Sequence, residues 1–321
     1  MSEILGSLAL GTFASGSRAF AGLVRGDRVL ELDAHAAALG LTAPITTRDL
    51  LADWDRVLPL LEALDGPTIG LSDLRVLPPV RPRQILQSGA NYRTHVIDLA
   101  VAHRGPDDSE EQVRAATAAM MDARIANGTP YLFIGLPSAI AGPHDDLVLP
   151  GYSDRHDWEL ELAAVIGAPA YRVDRDRALR HVAAYTIVND ITTRDLVFRR
   201  DMPEIGTDWY RSKNAPGFLP LGPWLVPAAH VPDPMNLRVT LTLNGDVMQD
   251  ESTKDMIFDV AAVVAAASQI TPLHPGDLVL TGSPAGNGMH HGRLLRDGDV
   301  MTGAITGLGT QRVRCVAESA A

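Results

Sequence analysis

Asp157-Trp158-Glu159-Leu160-Glu161-Leu162-Ala163-Ala164-Val165-Ile166-Gly167 decides how the rest of this chain is read. Its β-branched residues and closing glycine predict an extended strand, in which side chains alternate between faces. That alternation puts Asp157, Glu159 and Glu161 on one face and Trp158, Leu160 and Leu162 on the other. Carboxylates spaced in this way repel one another, and a buried carboxylate without a partner is driven to protonate. A hard divalent cation such as Mg²⁺, Mn²⁺ or Ca²⁺ removes that cost, because two carboxylates one residue apart can converge on one ion. The same spacing also suits a solvated edge strand, so the acids alone leave both readings open.

Composition narrows the field. The chain has 321 residues, enough for a large core and two structural units. A formal net charge of −11 argues against a nucleic-acid partner, which would call for basic surface. No run of about 18 apolar residues is present, so no membrane span is expected. Glu3 and the lack of a basic leading segment mean that Ile4 to Ala14 does not read as a secretory signal, and a cytoplasmic location is expected. The single cysteine, Cys315, excludes an internal disulfide and a thiolate zinc site. It lies in the alternating run Arg312-Val313-Arg314-Cys315-Val316 and reads as an inert buried residue.

Residues 1–76 read as a small N-terminal α+β unit. A hairpin is predicted around Gly26-Asp27, followed by a helix capped by Thr47 or Asp49 and carrying Leu50, Leu51, Trp54, Val57, Leu58 and Leu61. The proline-stiffened stretch Leu77-Pro78-Pro79-Val80-Arg81-Pro82 marks the boundary with a unit over 77–321. There a short strand runs into Asn91-Tyr92-Arg93-Thr94-His95-Val96-Ile97-Asp98, where a helix would put His95 and Asp98 on one face. Residues 99–128 are polar, then helical. Ser109-Glu110-Glu111-Gln112 fits a capping box, and breaker-rich flanks, Arg104 to Asp108 and Gly128 to Pro130, suit a lid. From Tyr131 strands dominate, with a hairpin turn at Asn244-Gly245 and one long helix predicted over Asp255 to Gln269. The pattern is sheet-dominated α+β, without regular βαβ alternation.

Taken in order, the motifs resemble the fumarylacetoacetate hydrolase family over roughly residues 84 to 316. They are Asn91-Tyr92-x-x-His95, the acidic strand, Asn189-Asp190-Ile191-Thr192-Thr193-Arg194-Asp195, Lys213, Pro220-Leu221-Gly222-Pro223-Trp224 and Asn244-Gly245. They continue as Gln249-Asp250-x-Ser252-Thr253-x-Asp255-Met256-Ile257-Phe258, Pro275-Gly276-Asp277, Thr281-Gly282-Ser283-Pro284-x-Gly286 and Gly298-Asp299. The resemblance implies a mixed β-sandwich roll and a homodimer. It implies that Glu159, Glu161 and Asp190 hold one Mg²⁺-type ion, with Asp157 a neighbour rather than a ligand. It also implies that His95, paired with Asp98, activates water, that Lys213 holds substrate oxygens, and that Tyr92, Arg194 and Thr281 line the substrate pocket.

Several positions depart from the family pattern. Ser88 stands where fumarylacetoacetases proper carry a further metal-binding aspartate, which places the chain in the smaller acylpyruvase-like branch. Asp98 replaces the commoner glutamate, and Gly135 replaces a lysine after Phe133. Val197 replaces a glutamine, and Lys213 is followed by Asn-Ala-Pro-Gly. The lost polar contacts point to a bulkier or less charged substrate. The expected activity is hydrolysis of a carbon–carbon bond in a 1,3-dicarbonyl or 2,4-diketo acid. Decarboxylation, isomerisation or dehydration of a 2-oxo acid is the first alternative, and a metal-bound small-molecule binding protein without turnover the second.

Overall fold

The computed structural model describes residues 4–102, 104, 105 and 107–319; His103 and Pro106, within the segment read as a lid and its flank, lie outside the described residues. Leu160–Ile166 is buried along its whole length near the middle of a six-stranded mixed sheet. Across that sheet the strands run Val226–Pro227, Val182–Asn189, Leu160–Ile166, Leu278–Leu280, Ile85–Gly89 and Tyr131–Gly135. Only Leu278–Leu280 and Ile85–Gly89 pair in parallel. A second sheet runs Asp246–Ser252, Arg238–Leu243, Val300–Ile305, Gly309–Ala317 and Leu147–Leu149.

Period-two alternation explains how the two sheets meet. Leu160, Leu162, Ala164 and Ile166 share an apolar cluster with Val239, Leu241, Met301 and Val313 of the second sheet. Gly303 permits the close approach, since a Cβ there would stand 2.6 Å from Leu160 Cδ1. Ala163 and Val165 point the other way, into a cluster with Leu10, Leu23 and Leu225. The sheet-dominated α+β organisation is the expected one. Cys315 is buried in the second sheet, and burial pushes its thiol up to about 12.

The N-terminal residues form their own antiparallel sheet, in the order Thr68–Gly70, Arg28–Glu31, Arg18–Arg25, Ala9–Ser15, Arg75–Leu77. Its apolar face continues into the neighbouring core, and the Leu10 and Leu225 backbones exchange hydrogen bonds of 2.9 and 2.8 Å. We take 1–76 and 77–321 as the proposed division into domains.

Four local expectations are corrected. The acidic strand is interrupted at Trp158 and Glu159, between His156–Asp157 and Leu160–Ile166, because the Asp157 carboxylate turns back to accept the Trp158 N–H. Asp157 therefore leaves the face that Glu159 and Glu161 keep. The N-terminal helix is two helices, Thr47–Leu51 and Trp54–Ala63, and the first is capped by Thr46 in a reciprocal box with Asp49. The long helix starts at Val260, behind an Asp259 cap, because Asp255 accepts from the Thr94 N–H and hydroxyl. Ser109 makes no side-chain cap to Glu110–Asn127, so the expected capping box there does not form.

Candidate metal centre and active site

The register between Leu160–Ile166 and Val182–Asn189 assembles the acids. Leu160 lies opposite Asn189, and one step further the Asp190 N–H donates to the Glu159 carbonyl at 2.8 Å. Asn189 Oδ1 accepts the Glu159 N–H at 2.9 Å, which holds the interrupted strand. Carboxylate oxygens of Glu159, Glu161 and Asp190 all lie within 4.8 Å of one another. Glu161 also accepts the Gly282 N–H at 2.8 Å, at a glycine whose φ of +91° suits no side chain.

Two cations enter this cluster. Lys213 Nζ is 2.8 Å from Glu159 Oε2 and 2.6 Å from Thr192 Oγ1, and it also donates to Asp190 Oδ2. Arg194 lies 2.7 Å from Asp157 Oδ2 through Nε and 2.7 Å from Glu159 Oε1 through Nη2. Four buried carboxylates thus face two bases, leaving two negative charges in excess. The excess is uneven. Burial, then Asp190 and Glu159, raise Glu161 well above the usual carboxylate range. Burial raises Asp190 to about 6 against the pull of Lys213. Glu159 is held low, because Lys213 and Arg194 together outweigh its burial. A divalent ion would cancel the excess, and an oxygen-only donor set suits Mg²⁺, Mn²⁺ or Ca²⁺. The residues present fit such an ion, with Glu159, Glu161 and Asp190 as its holders.

Asp157 serves another end. It is fully buried, and besides Arg194 it accepts the N–H groups of Gly288 and Met289, so it anchors the short segment Gly288–His291. Asp157→Ala is expected to lower stability by about 3 kcal/mol, since it removes one partner of a buried ion pair and orphans backbone donors. A urea midpoint equal to that of the parent would refute this anchoring role.

A cavity of about 980 Å³ opens onto the acids. Its polar end holds Glu159, Glu161, Asp190, Lys213, Arg194 and His95; Tyr131, Phe133, Val197, Phe198 and Trp209 form an apolar wall. Phe133 and Trp209 stack at 4.8 Å, and Lys213 Nζ lies 5.7 and 5.6 Å from their ring centroids. His95 is 7% exposed, and burial lowers its pKa to about 4, so it is a neutral base at pH 7. Among the described residues its Nδ1 is buried without a partner. The hydrogen bond expected from Asp98 is not formed: Asp98 accepts from Arg114 at 3.0 Å.

Other expected positions fall outside the cavity. Thr281 is fully buried and spends its hydroxyl on the Leu162 carbonyl at 2.9 Å. Tyr92 is fully buried in the core, bridged to Met256, with its hydroxyl unpartnered among the described residues. Neither lines the pocket, where Ser88 and Ser283 are found instead. Of the 99–128 segment, Leu99 and Ala100 line the cavity. Helix Glu110–Asn127 packs behind helix Arg93–Ala102, tied by the Arg93–Asp122 and Arg114–Asp98 ion pairs, and among the described residues contributes no wall. It backs the His95 helix rather than covering the mouth.

Residues 84–316 match the fumarylacetoacetate (FAA) hydrolase C-terminal family, nearly three quarters of the chain. The chain belongs to the fumarylacetoacetate hydrolase family. It is 32% identical over 290 residues to a mitochondrial oxaloacetate tautomerase of Bos taurus, spanning 88% of this chain and 82% of that one. It is 42% identical over 186 residues to a 2,4-didehydro-3-deoxy-L-rhamnonate hydrolase of Sphingomonas sp. (strain SKA58), spanning 57% of this chain and 64% of that one, just under two thirds of the relative's length. Among solved structures, maleylpyruvate hydrolase from Sphingobium sp. SYK-6, in complex with manganese(II) and pyruvate, superposes with a TM-score of 0.74 at 27% identity, covering 97% of this chain and all of that one.

Within this family member several site residues escaped the sequence reading. Gln87 donates from Nε2 to Asp190 Oδ1 at 2.8 Å, and Gly135 leaves its side chain room: a Cβ there would be 2.9 Å from Gln87 Oε1. Ile85 to Ser88 are all buried, on both faces of the strand, so alternation gave no sign that Gln87 would meet Asp190. Thr192, already inside the Asn-Asp-Ile-Thr-Thr-Arg-Asp motif, was a readable candidate for the lysine's third partner. Trp209 and Met289 carried no signal, since each enters through a loop-borne helical turn distant in sequence.

Proposed function

We propose that this protein is a divalent-metal-dependent hydrolase that cleaves a carbon–carbon bond in a 1,3-dicarbonyl or 2,4-diketo acid of the acylpyruvate type. The observation that carries this reading is a buried His95 in the same cavity as the Glu159–Glu161–Asp190 cluster, where burial lowers its pKa to about 4. When bound, the ion supplies polarisation of substrate oxygens. His95 accepts a proton from water, whose oxygen bonds to the carbonyl carbon distal to the carboxylate. Lys213 stays protonated because Asp190 and Glu159 outweigh its burial, and its positive charge at the polar end of the cavity favours the oxyanion that develops. The bond to the methylene carbon then breaks, and the imidazolium returns its proton to that carbon. The products are a carboxylic acid and pyruvate.

The apolar wall supports a substrate with a bulky, uncharged side chain. Trp209→Ala is expected to raise KM about tenfold or more for an aryl-substituted diketo acid and to leave the methyl-substituted one within about threefold. Equal effects on both would remove the wall from substrate selection. The family also holds a tautomerase, and neutral His95 is equally able to move a proton between carbon and oxygen. Incubation of the Mg²⁺- or Mn²⁺-loaded protein with acylpyruvates separates the two: hydrolysis releases pyruvate and a second acid, whereas tautomerisation changes the ultraviolet absorbance with no loss of substrate carbon skeleton. Absence of both acids across an alkyl and aryl series would sink the hydrolase reading. We further propose a homodimer, supported by exposed Phe198, Ile205 and Tyr210 on one stretch of surface chain; light scattering tests it.

A further inference from the structure

We propose that His290 is a positioning residue for His95: Asn287 sets which nitrogen of His290 carries hydrogen, and His290 in turn sets this for His95. The use made of His95 rests on the hydrolytic reading above, but the pairing itself holds for any reaction that needs a neutral base.

Asn287 is fully buried, and its Oδ1 lies 2.7 Å from His290 Nδ1. With the amide oxygen turned toward Nδ1, and Asn287 Nδ2 buried without a partner among the described residues, Nδ1 carries the hydrogen and Nε2 is the bare acceptor. Among the described residues that Nε2 is buried and unpartnered, as is His95 Nδ1. The two ring centroids stand 5.2 Å apart, with planes inclined by 38°. At that separation, ring rotation or one bridging water brings an N–H of His95 to the lone pair of His290. Two buried orphan nitrogens are costly apart and satisfy each other through one hydrogen. The arrangement keeps the hydrogen of neutral His95 on Nδ1 and leaves Nε2 as the lone pair that takes the proton of water.

The surroundings agree. Asp98, the partner that helical spacing offers, is occupied by Arg114. The segment carrying His290 is clamped from below by Asp157 through the Gly288 and Met289 N–H groups. Glu159, Arg194 and Asp98 face His95, and Asp98, Asp157, His291 and Arg194 face His290.

The test is long-range ¹H–¹⁵N correlation spectroscopy of the imidazole rings in the full chain, without metal or substrate. The parent is expected to show His95 hydrogenated at Nδ1. His290→Phe, which has no acceptor, is expected to shift His95 toward the Nε2–H form that dominates for free histidine. His290→Gln, whose amide oxygen can accept, is expected to restore Nδ1–H. With Mg²⁺ bound, kcat for a hydrolysed acylpyruvate is expected to fall about tenfold to a hundredfold in His290→Phe, with KM within about threefold, and to recover in His290→Gln. A folded His290→Phe protein with His95 still wholly Nδ1–H overturns the pairing. If that variant does not fold, the parent decides alone, since an Nε2–H His95 overturns it equally. A tautomer shift in a protein that hydrolyses no diketo acid upholds the pair and sinks the reaction assigned above.

Discussion

Glu161→Gln is expected to bind no stoichiometric divalent ion and to lose turnover by on the order of a thousandfold or more, beyond the ten- to hundredfold cost of residues that only orient a ligand. The substitution keeps the side chain's size and its acceptor for the Gly282 N–H, so the fold is expected to persist. Stability separates this loss from unfolding. In the parent without metal, Glu161 is a buried acid pressed by Asp190 and Glu159. Glutamine cannot take the ionised form that burial, Asp190 and Glu159 disfavour, so the metal-free variant is expected to melt at or above the metal-free parent. Metal at a hundredfold its dissociation constant stabilises a one-site protein by about 2.7 kcal/mol; the parent is expected to gain this and the variant nothing. Calorimetry with and without Mg²⁺ reads both terms. Equal metal-induced stabilisation in the two proteins would remove Glu161 from the metal centre.

The second large effect falls on His95. His95→Ala is expected to lower kcat by about a hundred- to ten-thousandfold with little change in KM. The carboxylates, Lys213 and the apolar wall still hold the substrate, so the lost interaction belongs to the transition state. Near-normal turnover would instead direct attention to chemistry without water activation. Asp98→Asn is expected to cost less than about threefold. Asp98 is bonded to Arg114 rather than to the imidazole, and that exposed ion pair contributes little. A loss as large as that of His95→Ala would show that Asp98 leaves Arg114 during turnover. These two variants therefore distinguish the pairing that sequence spacing offers from the one the packed structure contains.

Much of this protein was legible along its chain. Alternation in Leu160–Ile166 placed Leu160 and Leu162 in one core and Glu161 on the opposite side, because a strand's side-chain period is fixed by backbone geometry. Glu159, Glu161, Asp190 and Lys213 were nameable from ordered motifs, and the structure brings all four into one cluster. Hairpin turns at Gly26-Asp27 and Asn244-Gly245 followed from local conformational preference alone. What only tertiary structure decided was how side chains with several possible partners divide among them. Asp157 had the spacing of a third acid on the strand, yet three backbone N–H groups and Arg194 draw it away. Asp98 had the spacing of a partner for His95, yet an arginine sixteen residues on, on the next helix, holds it. Thr281 and Tyr92 sit in family motifs, yet the core claims both. Local sequence determines which face or turn a residue occupies. Which of several charges or hydrogen-bond donors meets it there depends on contacts between segments far apart in the chain, and those are set only when the sheets pack.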